Sequence, residues 1–409
     1  MSTEPEAGDH PPGMVECSVC RTDVPAGEFC GLCGTYLTEH RADGPKWLRI
    51  RAFSASPGEH LLKPNIVSSL FPHLSPSSRM SFMIGLVVLF AALVAATLLR
   101  LPAALITVAA LGLPLLFLIY LQESDVYDDV PTSTLVVTAA LGIGLGVGWV
   151  LLTGASIARA YDVGLGMGIA GFHILRDGLG IPIAGMLLML APAALVRLVR
   201  PGTREALDGF AIGALGALMF TAAAQMTRLA PQFSTGMIAK ARPMGGLIVE
   251  AGIRGVAVPL TAAAVGGLIG TALWFTRPAN KKEQHRNYVR IALTVIALAV
   301  MAMYAAVGLV DVARFPQMWQ LAVHLVVTAL ALLALRIGLQ LALLHEAHDE
   351  ILSDEPLLCT HCGTVVPDMA FCVACGAATR ASSRSSRQER RVTRPVRTDT
   401  GPEADTETQ

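Results

Sequence analysis

Hydrophobic and polar positions divide the chain into a long apolar middle and two polar ends. Residues 80–345 contain long stretches without an ionised side chain, whereas both ends are rich in Pro, Gly, Ser and Arg. Several of the apolar stretches have roughly the 20 residues that a helix needs to cross a bilayer. The pattern predicts an all-α polytopic membrane protein with about eight transmembrane helices. They are expected at 81–99, 102–121, 134–152, 179–198, 210–228, 255–275, 291–310 and 319–343.

One further apolar segment, 163–175, is shorter and glycine-rich. It fits a re-entrant or interfacial piece as well as another span. Glycine also recurs inside the spans, for example at Gly142, Gly146, Gly213 and Gly266. Such residues let helices approach closely, which predicts a compact bundle.

Composition supports a membrane location. Hydrophobic residues make up 53% of the chain and charged residues only 15%. The formal net charge is zero, so the total charge indicates no class of partner. The first apolar stretch begins near residue 81, too late for a cleavable signal peptide, so the first span is expected to direct insertion.

All eight cysteines occur as C-x-x-C pairs, two pairs at each end. Both ends have the spacing C-x2-C-x9-C-x2-C, and they also share a Thr, a Val, a Pro, a Phe and a Gly at matching positions. The ends are therefore an internal repeat. The predicted metal ligands are Cys17, Cys20, Cys30 and Cys33 in the first copy and Cys359, Cys362, Cys372 and Cys375 in the second.

This spacing is typical of zinc ribbons, because two knuckles present four thiolates to one tetrahedral ion. Two structural Zn²⁺ ions are expected, and four sulfurs leave no position for water or substrate. The alternative, a redox C-x-x-C, lacks the usual βαβ context. His361, inside the second knuckle, is interpreted as a spacer. Because each module is too small for a core of its own, metal binding should supply most of its folding free energy.

The predicted domain layout has five parts. They are an N-terminal zinc ribbon at 14–38, a Pro-rich linker at 39–79, the helical domain at 80–345, a C-terminal zinc ribbon at 356–379, and a disordered tail at 380–409. The tail is Arg-rich and then acidic, so it could bind anionic lipid or act only as a solubilising segment.

Loop charge predicts the orientation. With eight spans, the loops at 197–204 and 277–290 lie on the same side as both ends, and they are the most basic loops of the domain. Both termini are therefore expected in the cytoplasm, which also keeps the thiols reduced. We expect a multi-pass protein of the cell (inner or plasma) membrane in a bacterium, whose Ala-, Gly- and Arg-rich usage suits high genomic GC.

Ionisable and amide side chains within the spans are candidates for a functional site, because their burial in a membrane is costly. Glu250 and Arg254 are four residues apart, so they should form an ion pair on one helix face. The candidates are His173, Arg176, Asp177, Gln225, Arg228, Glu250, Arg254, His324, Arg336 and Gln340.

Three stretches resemble the PrsW family of intramembrane proteases, which is related to the CAAX-processing enzymes. They are PLLFLIYLQESDVYDDVP at 114–131, LDGFAIGALGALMF at 207–220, and the small-residue helix at 254–266. The resemblance covers about 80–275 and implies a helical membrane fold with a metal-dependent active site.

The catalytic groups that the resemblance implies do not carry over. The family's E-E-x-x-K motif should fall at 184–187, where this chain has AGML, and the chain contains no Glu-Glu pair. The family's next glutamate would fall near Ala224 and Gln225 of this chain, and its histidine would fall near 258–261, where this chain has neither residue type. A metal-assisted hydrolase needs ligands and a base, and these positions offer neither. The resemblance therefore implies a degenerate active site.

Three functions follow from these observations. The favoured one is a non-catalytic PrsW-like scaffold, adaptor or regulator that binds a protein partner through its ribbons; few basic residues lie in the ribbons, which disfavours nucleic acid. The second is an intramembrane metalloprotease with displaced groups such as His173, Asp177, Glu250 or His324. The third is a transporter or channel.

Overall fold

The computed structural model describes residues 13–18, 20–37, 52–53, 55–63, 65–72, 74, 76–124, 130–162, 176–199, 205–230, 244–275, 286–313, 315–345, 355–359, 361–377, 379 and 384–394. The segment 163–175 and His173 lie outside the described residues, as does the end of the tail after 394.

The described part of the chain contains eight helices long and apolar enough to cross a membrane, which confirms the predicted count. The described residues also form three short antiparallel hairpins and two short helices. The spanning helices are α2 (Pro76–Leu98), α3 (Pro102–Glu123), α4 (Thr132–Asp162), α5 (Ile181–Val199), α6 (Ala206–Leu229), the pair α7 (Met244–Glu250) and α8 (Val258–Trp274), α9 (Arg286–Val312) and α10 (Gln317–His345).

Two π-helical segments interrupt the α-helical pattern. Arg176–Gly180 leads directly into α5, and Ala251–Ala257 joins α7 to α8 within one span. A π segment inserts an extra residue into a helical turn and rotates the side chains that follow; such segments are frequent at functional sites.

The eight spans alternate in direction, so the bundle has two distinct ends. Close contacts agree with this alternation: Gly142 lies against Gly216 in the parallel pair α4 and α6, and Gly308 lies against Pro182 in the antiparallel pair α9 and α5. The chain enters and leaves the bundle at the same end. We call this end the module face, because one cysteine module precedes the first span and the other follows the last span. The other end is the opposite face.

Helix α6 is the centre of the bundle and is buried along nearly its whole length. Gly213 of α6 contacts the backbone of α8 at Gly266, and a Cβ atom on Gly142 of α4 would lie 2.7 Å from the Gly216 carbonyl oxygen. Gly144 has open space around it instead. The predicted close helix approach is therefore confirmed, with alternate glycines of α4 facing α6.

A folded segment occupies part of the predicted linker. It consists of β3 (Ala52–Phe53), β4 (Ser56–His60) and α1 (Ile66–Leu70), which we call the collar. The Asn65 side chain accepts a hydrogen bond from the Val67 amide at 3.0 Å and so caps α1. The collar differs from an extended linker because its apolar side chains are buried on the bundle. They include Phe53, Leu61, Val67, Leu70 and Phe71.

Arg336 of α10 fixes the collar to the module face. Its fully buried guanidinium donates to the carbonyls of Leu61 at 3.0 Å and His60 at 3.1 Å, and it lies 3.4 Å from the Glu59 carboxylate. It also lies 4.2 Å from the centre of the Phe53 ring. A buried cation needs several acceptors at once, and the acceptors of Arg336 all belong to the collar. This candidate residue therefore has a structural role.

Each cysteine module begins with a two-stranded hairpin. The first pairs β1 (Met14–Glu16) with β2 (Asp23–Pro25), and the second pairs β5 (Pro356–Leu358) with β6 (Val365–Pro367) in the same register.

A short helix, α11 (Arg384–Val392), stands where the sequence predicts a disordered tail. Arg390 donates to the Leu358 carbonyl of β5 at 3.3 Å, and Arg394 forms an ion pair with Glu355. These contacts order the segment, and the basic composition that suggested disorder supplies the side chains that make them.

Candidate functional site

The four cysteines of each module lie close enough to hold one metal ion. In the first module, Cys17 and Cys33 sulfurs are 3.7 Å apart and Cys20 and Cys30 sulfurs are 3.8 Å apart. A tetrahedron with metal–sulfur bonds of about 2.3 Å has edges of about 3.8 Å. The first set therefore has the dimensions of a tetrahedral four-sulfur site.

The second module repeats this geometry. The Cys359–Cys375 and Cys362–Cys372 sulfur distances are 3.8 and 3.9 Å. In the described part of the chain, these two sets are the only groups of three or more Cys, His, Asp or Glu residues whose ligand atoms come together. His361 is not among the grouped ligands, and burial lowers its pKa.

Backbone turns after the knuckle cysteines aim the sulfurs inward. Gly34, Gly363 and Gly376 have φ values of +72°, +70° and +70°, as the glycine positions predict. Arg21 occupies the remaining equivalent position with φ of +52°.

The pKa values of the thiols show how each site distributes charge. A hydrogen bond from the Cys33 thiol lowers the pKa of Cys30 to about 5, and the same contact raises the pKa of Cys33. In the second module the pKa of Cys359 is lowered by Cys372 and Cys375, whose own pKa values are raised. Four thiolates at these distances need a cation between them, so metal binding would release the remaining protons.

The two modules pack against each other around an approximate two-fold axis, and we call the pair the headpiece. The Phe29 amide donates to the Val373 carbonyl at 3.0 Å, and the equivalent Phe371 amide donates to the Gly31 carbonyl at 2.9 Å. Their shared core contains Val24 and Val366 with the buried cysteines. The internal repeat is therefore an internal dimer.

Residue size is matched across this interface. Gly27 and Gly31 of the first module face Val373 and Met369 of the second. A Cβ atom on Gly27 would lie 2.6 Å from the Val373 carbonyl oxygen, and one on Gly31 would overlap the Met369 side chain. Gly27 and Gly31 of the first module are equivalent in the repeat to Met369 and Val373 of the second. The first module therefore has no side chain at the two positions where the second has a large one.

We expect Gly31→Val to separate the modules without disturbing the metal sites. Val373 holds the equivalent position in the second knuckle, so valine fits the knuckle itself, but its side chain overlaps Met369. Overpacking of this kind costs about 1–3 kcal/mol. Hydrogen exchange at the Phe29 and Phe371 amides should become at least about tenfold faster.

The double variant Gly31→Val/Met369→Gly is the matched control. It removes the bulk that the valine meets, so slow exchange at both amides should return in part. Metal content should stay constant in both variants. Unchanged exchange in the single variant would mean that the modules do not depend on this contact.

A second site lies inside the helix bundle, near the opposite face. It is a cavity of about 790 Å³ between α4, α5, α6, α9, α10 and the α7–α8 span. Both π-helical segments adjoin it: Ile181 and Pro182 follow the first, and Ile253 and Arg254 belong to the second. The volume lies within the range of about 300–1,000 Å³ that is usual for small-molecule sites.

Four of the ionisable side chains of the cavity form two pairs. Arg254 lies 3.7 Å from Glu250, which confirms the predicted ion pair on this helix face. His324 Nε2 lies 2.9 Å from Asp311 Oδ1, and the His324 side chain is buried. The Gln225 amide donates to the Arg254 carbonyl at 3.1 Å, within the π segment.

The structure brings together most of the intramembrane candidates that the sequence indicated. Gln225, Arg228, Glu250, Arg254 and His324 all line the cavity. Arg336 and Gln340 are buried elsewhere, towards the module face. Arg176 lies in the first π segment, and only the backbone of Asp177 is described.

Sequence reasoning missed two ionisable cavity residues, Asp311 and Tyr304. Asp311 falls one position beyond the predicted seventh span, and Tyr304 occurs in an apolar run where an aromatic side chain indicates packing. Only the tertiary fold brings them to the other polar groups.

A scan against protein-family models, a search of curated proteins and a search of solved structures each find no match for this chain.

Proposed function

We propose that this chain is a non-catalytic, PrsW-like integral membrane protein that acts as a scaffold, adaptor or regulator and binds a protein partner through its headpiece. The observation that carries the proposal is the chemistry of the cavity at the positions where the family has its catalytic groups.

Three stretches far apart in sequence meet in this cavity. Gly185 and Met186 lie where the family's E-E-x-x-K motif should fall, Gln225 lies near its next glutamate, and Val258 and Thr261 lie near its histidine. Convergence of these positions on one space supports the resemblance. Their side chains supply no carboxylate and no imidazole, which supports a loss of catalysis.

The metal in each module is proposed to be zinc. Four thiolates in a tetrahedron suit either Zn²⁺ or iron, and a closed four-sulfur shell at zinc-ribbon spacing favours zinc in a structural role. Zinc modules of this size present short hairpins and turns to other proteins. Val15 and Leu32 in the first module and Val365 in the second are exposed apolar side chains on the headpiece, which supports a protein contact.

The module face is proposed to be cytoplasmic. The ends of α5 and α8 at this face adjoin the basic loops 197–204 and 277–290, and positive charge is enriched in cytoplasmic loops. A reducing cytosol also keeps eight free thiols available for metal. The membrane would be the cell membrane of a bacterium.

A pull-down from membranes tests the proposal. The intact chain should retain a specific protein that is lost when Cys30 and Cys372 are both replaced by serine, since one ligand of each site is removed. The matched control is Leu32→Met, which keeps all eight cysteines and an apolar side chain at the surface and should retain the same protein. Two zinc ions per chain are expected by elemental analysis of the wild type.

Proteolysis by the purified protein would contradict the proposal. The His324–Asp311 pair favours this second candidate, an intramembrane metalloprotease with displaced groups, because a carboxylate can orient an imidazole as a base. That candidate predicts cleavage of a membrane substrate, loss of cleavage on Glu250→Gln or His324→Gln, and a third metal ion that survives deletion of both modules. In the described residues, Glu250, Asp311 and His324 do not come together as a ligand group.

A further inference from the structure

The bundle cavity has a polar end and an apolar end, arranged along the membrane normal. Arg228 lies in the last turn of α6, at the opposite face, and Phe220 lies on the same side of α6 about 12 Å deeper along its axis. Met186 and Val258 from neighbouring helices also line the deeper part. The cavity is therefore amphipathic, with its charged groups towards the opposite face.

Arg228 is the charged side chain of this cavity that belongs to neither of the two ion pairs. Glu250 and Arg254 form one pair, and Asp311 and His324 form another. Arg228 interacts electrostatically with Arg254, Tyr304 and Asp311, but among the described residues its guanidinium has no hydrogen-bonded acceptor.

An arginine near a span end ordinarily extends to the membrane surface. Arg228 lines the cavity, where its side chain is exposed and close enough to Arg254, Tyr304 and Asp311 to interact with them electrostatically. Its exposed guanidinium is accessible to a ligand that enters the cavity. A phosphate or carboxylate would provide two oxygens to the guanidinium at once.

We propose that this cavity binds a membrane amphiphile with an anionic phosphate or carboxylate headgroup. The headgroup lies against Arg228, with Arg254 and the Tyr304 hydroxyl beside it, and the hydrocarbon chain extends along Phe220, Met186 and Val258. The amphiphile comes from the leaflet at the opposite face, where the polar end of the cavity lies. This site is independent of the headpiece and of any partner that the headpiece binds.

Native mass spectrometry of the full chain in detergent tests the proposal with four probes. Dioctanoyl phosphatidic acid has both the anion and the chains, dioctanoylglycerol has only the chains, glycerol 3-phosphate has only the anion, and dioctanoyl phosphatidylcholine masks the phosphate with a choline. Phosphatidic acid should form a one-to-one complex, and each of the other three should bind at least about tenfold more weakly.

Arg228→Gln should weaken phosphatidic acid binding at least about tenfold, and Arg228→Lys should restore part of the loss because it keeps the charge. Arg290→Gln is the matched control, since Arg290 is an exposed arginine of α9 outside the cavity, and it should bind like the wild type. The Arg-rich tail is present in every variant, so differences report on the cavity. Thermal unfolding without probe verifies that each variant is folded.

Trp149 gives a second measurement, because its side chain lines the cavity. Phosphatidic acid with brominated chains should quench part of the tryptophan fluorescence, and Trp149→Phe should remove that part. The proposal is overturned if Arg228→Gln binds phosphatidic acid as the wild type does. It is also overturned if glycerol 3-phosphate or dioctanoylglycerol binds as tightly as phosphatidic acid, because the ligand is then a free anion or a purely apolar molecule.

Discussion

Stripping metal from the cysteine sites is expected to unfold the headpiece while the helix bundle stays intact. Each module has only about 25 residues, too few for an independent core. A structural zinc site contributes about 10 kcal/mol or more to the folding of such a module at neutral pH. After treatment with a strong chelator, the Phe29 and Phe371 amides should exchange within the dead time of the measurement, because the cross-module hydrogen bonds that protect them are lost.

The interface makes the two sites dependent on each other. Cys30→Ser alone should therefore also speed exchange at the Phe29 amide, which donates to the second module, and at the Phe371 amide, which donates to the first. Amides of the buried helix α6 are the internal control and should remain slow. Persistent protection of Phe29 and Phe371 in metal-free protein would show that the headpiece does not depend on metal.

Arg336→Met is expected to be the most damaging single substitution in the membrane domain. The guanidinium is fully buried and joins α10 to the collar through Glu59, Leu61 and Ser68. Removing it takes the cation from the Glu59 carboxylate, which keeps only the Asn65 amide as a donor, and takes a donor from the Leu61 and His60 carbonyls. Loss of one partner from a buried ion pair costs about 3–5 kcal/mol. Thermal unfolding in detergent should show a correspondingly lower midpoint.

Two further variants separate the ion pair from the packing. Arg290→Met removes an exposed arginine of the neighbouring helix and should leave the midpoint nearly unchanged. The double variant Arg336→Met/Glu59→Gln should be less damaging than the sum of its single changes, since no unpaired carboxylate remains. Equal midpoints for Arg336→Met and Arg290→Met would mean that the collar is held by its apolar contacts alone. Limited proteolysis between 52 and 74 gives an independent measure of collar release.

The collar also shows where sequence reasoning stopped. The predicted linker that contains it has five prolines between 45 and 76, and its mixed polarity is typical of a linker. No local pattern indicates that Phe53 stacks on an arginine some 280 positions later, because that contact depends on how α10 lies in the bundle. Conversely, Arg336 looked like a candidate for function inside a membrane, and the collar gives it a structural role.

Some polar residues of the cavity could be predicted from the sequence, and others could not. A sequence search for ionisable residues in apolar spans found Gln225, Arg228, Glu250, Arg254 and His324, because charge in a membrane is rare enough to be noticed in one dimension. It did not find Asp311, whose position at a span end has an ordinary explanation. The proximity of Asp311 to His324 arises only when α9 and α10 pack as antiparallel neighbours.

Sequence alone predicted the membrane architecture and the two groups of four cysteines, because both are recorded in local patterns: runs of apolar residues as long as a bilayer is thick, and cysteines at knuckle spacing. The repeat of the two modules was equally visible. Tertiary structure decided that the modules form one headpiece, that the collar packs on the module face, and that most of the polar candidate side chains meet in one cavity. These features join residues that are distant in the chain, and their free energy comes from packing and hydrogen bonds between elements, which no local pattern specifies.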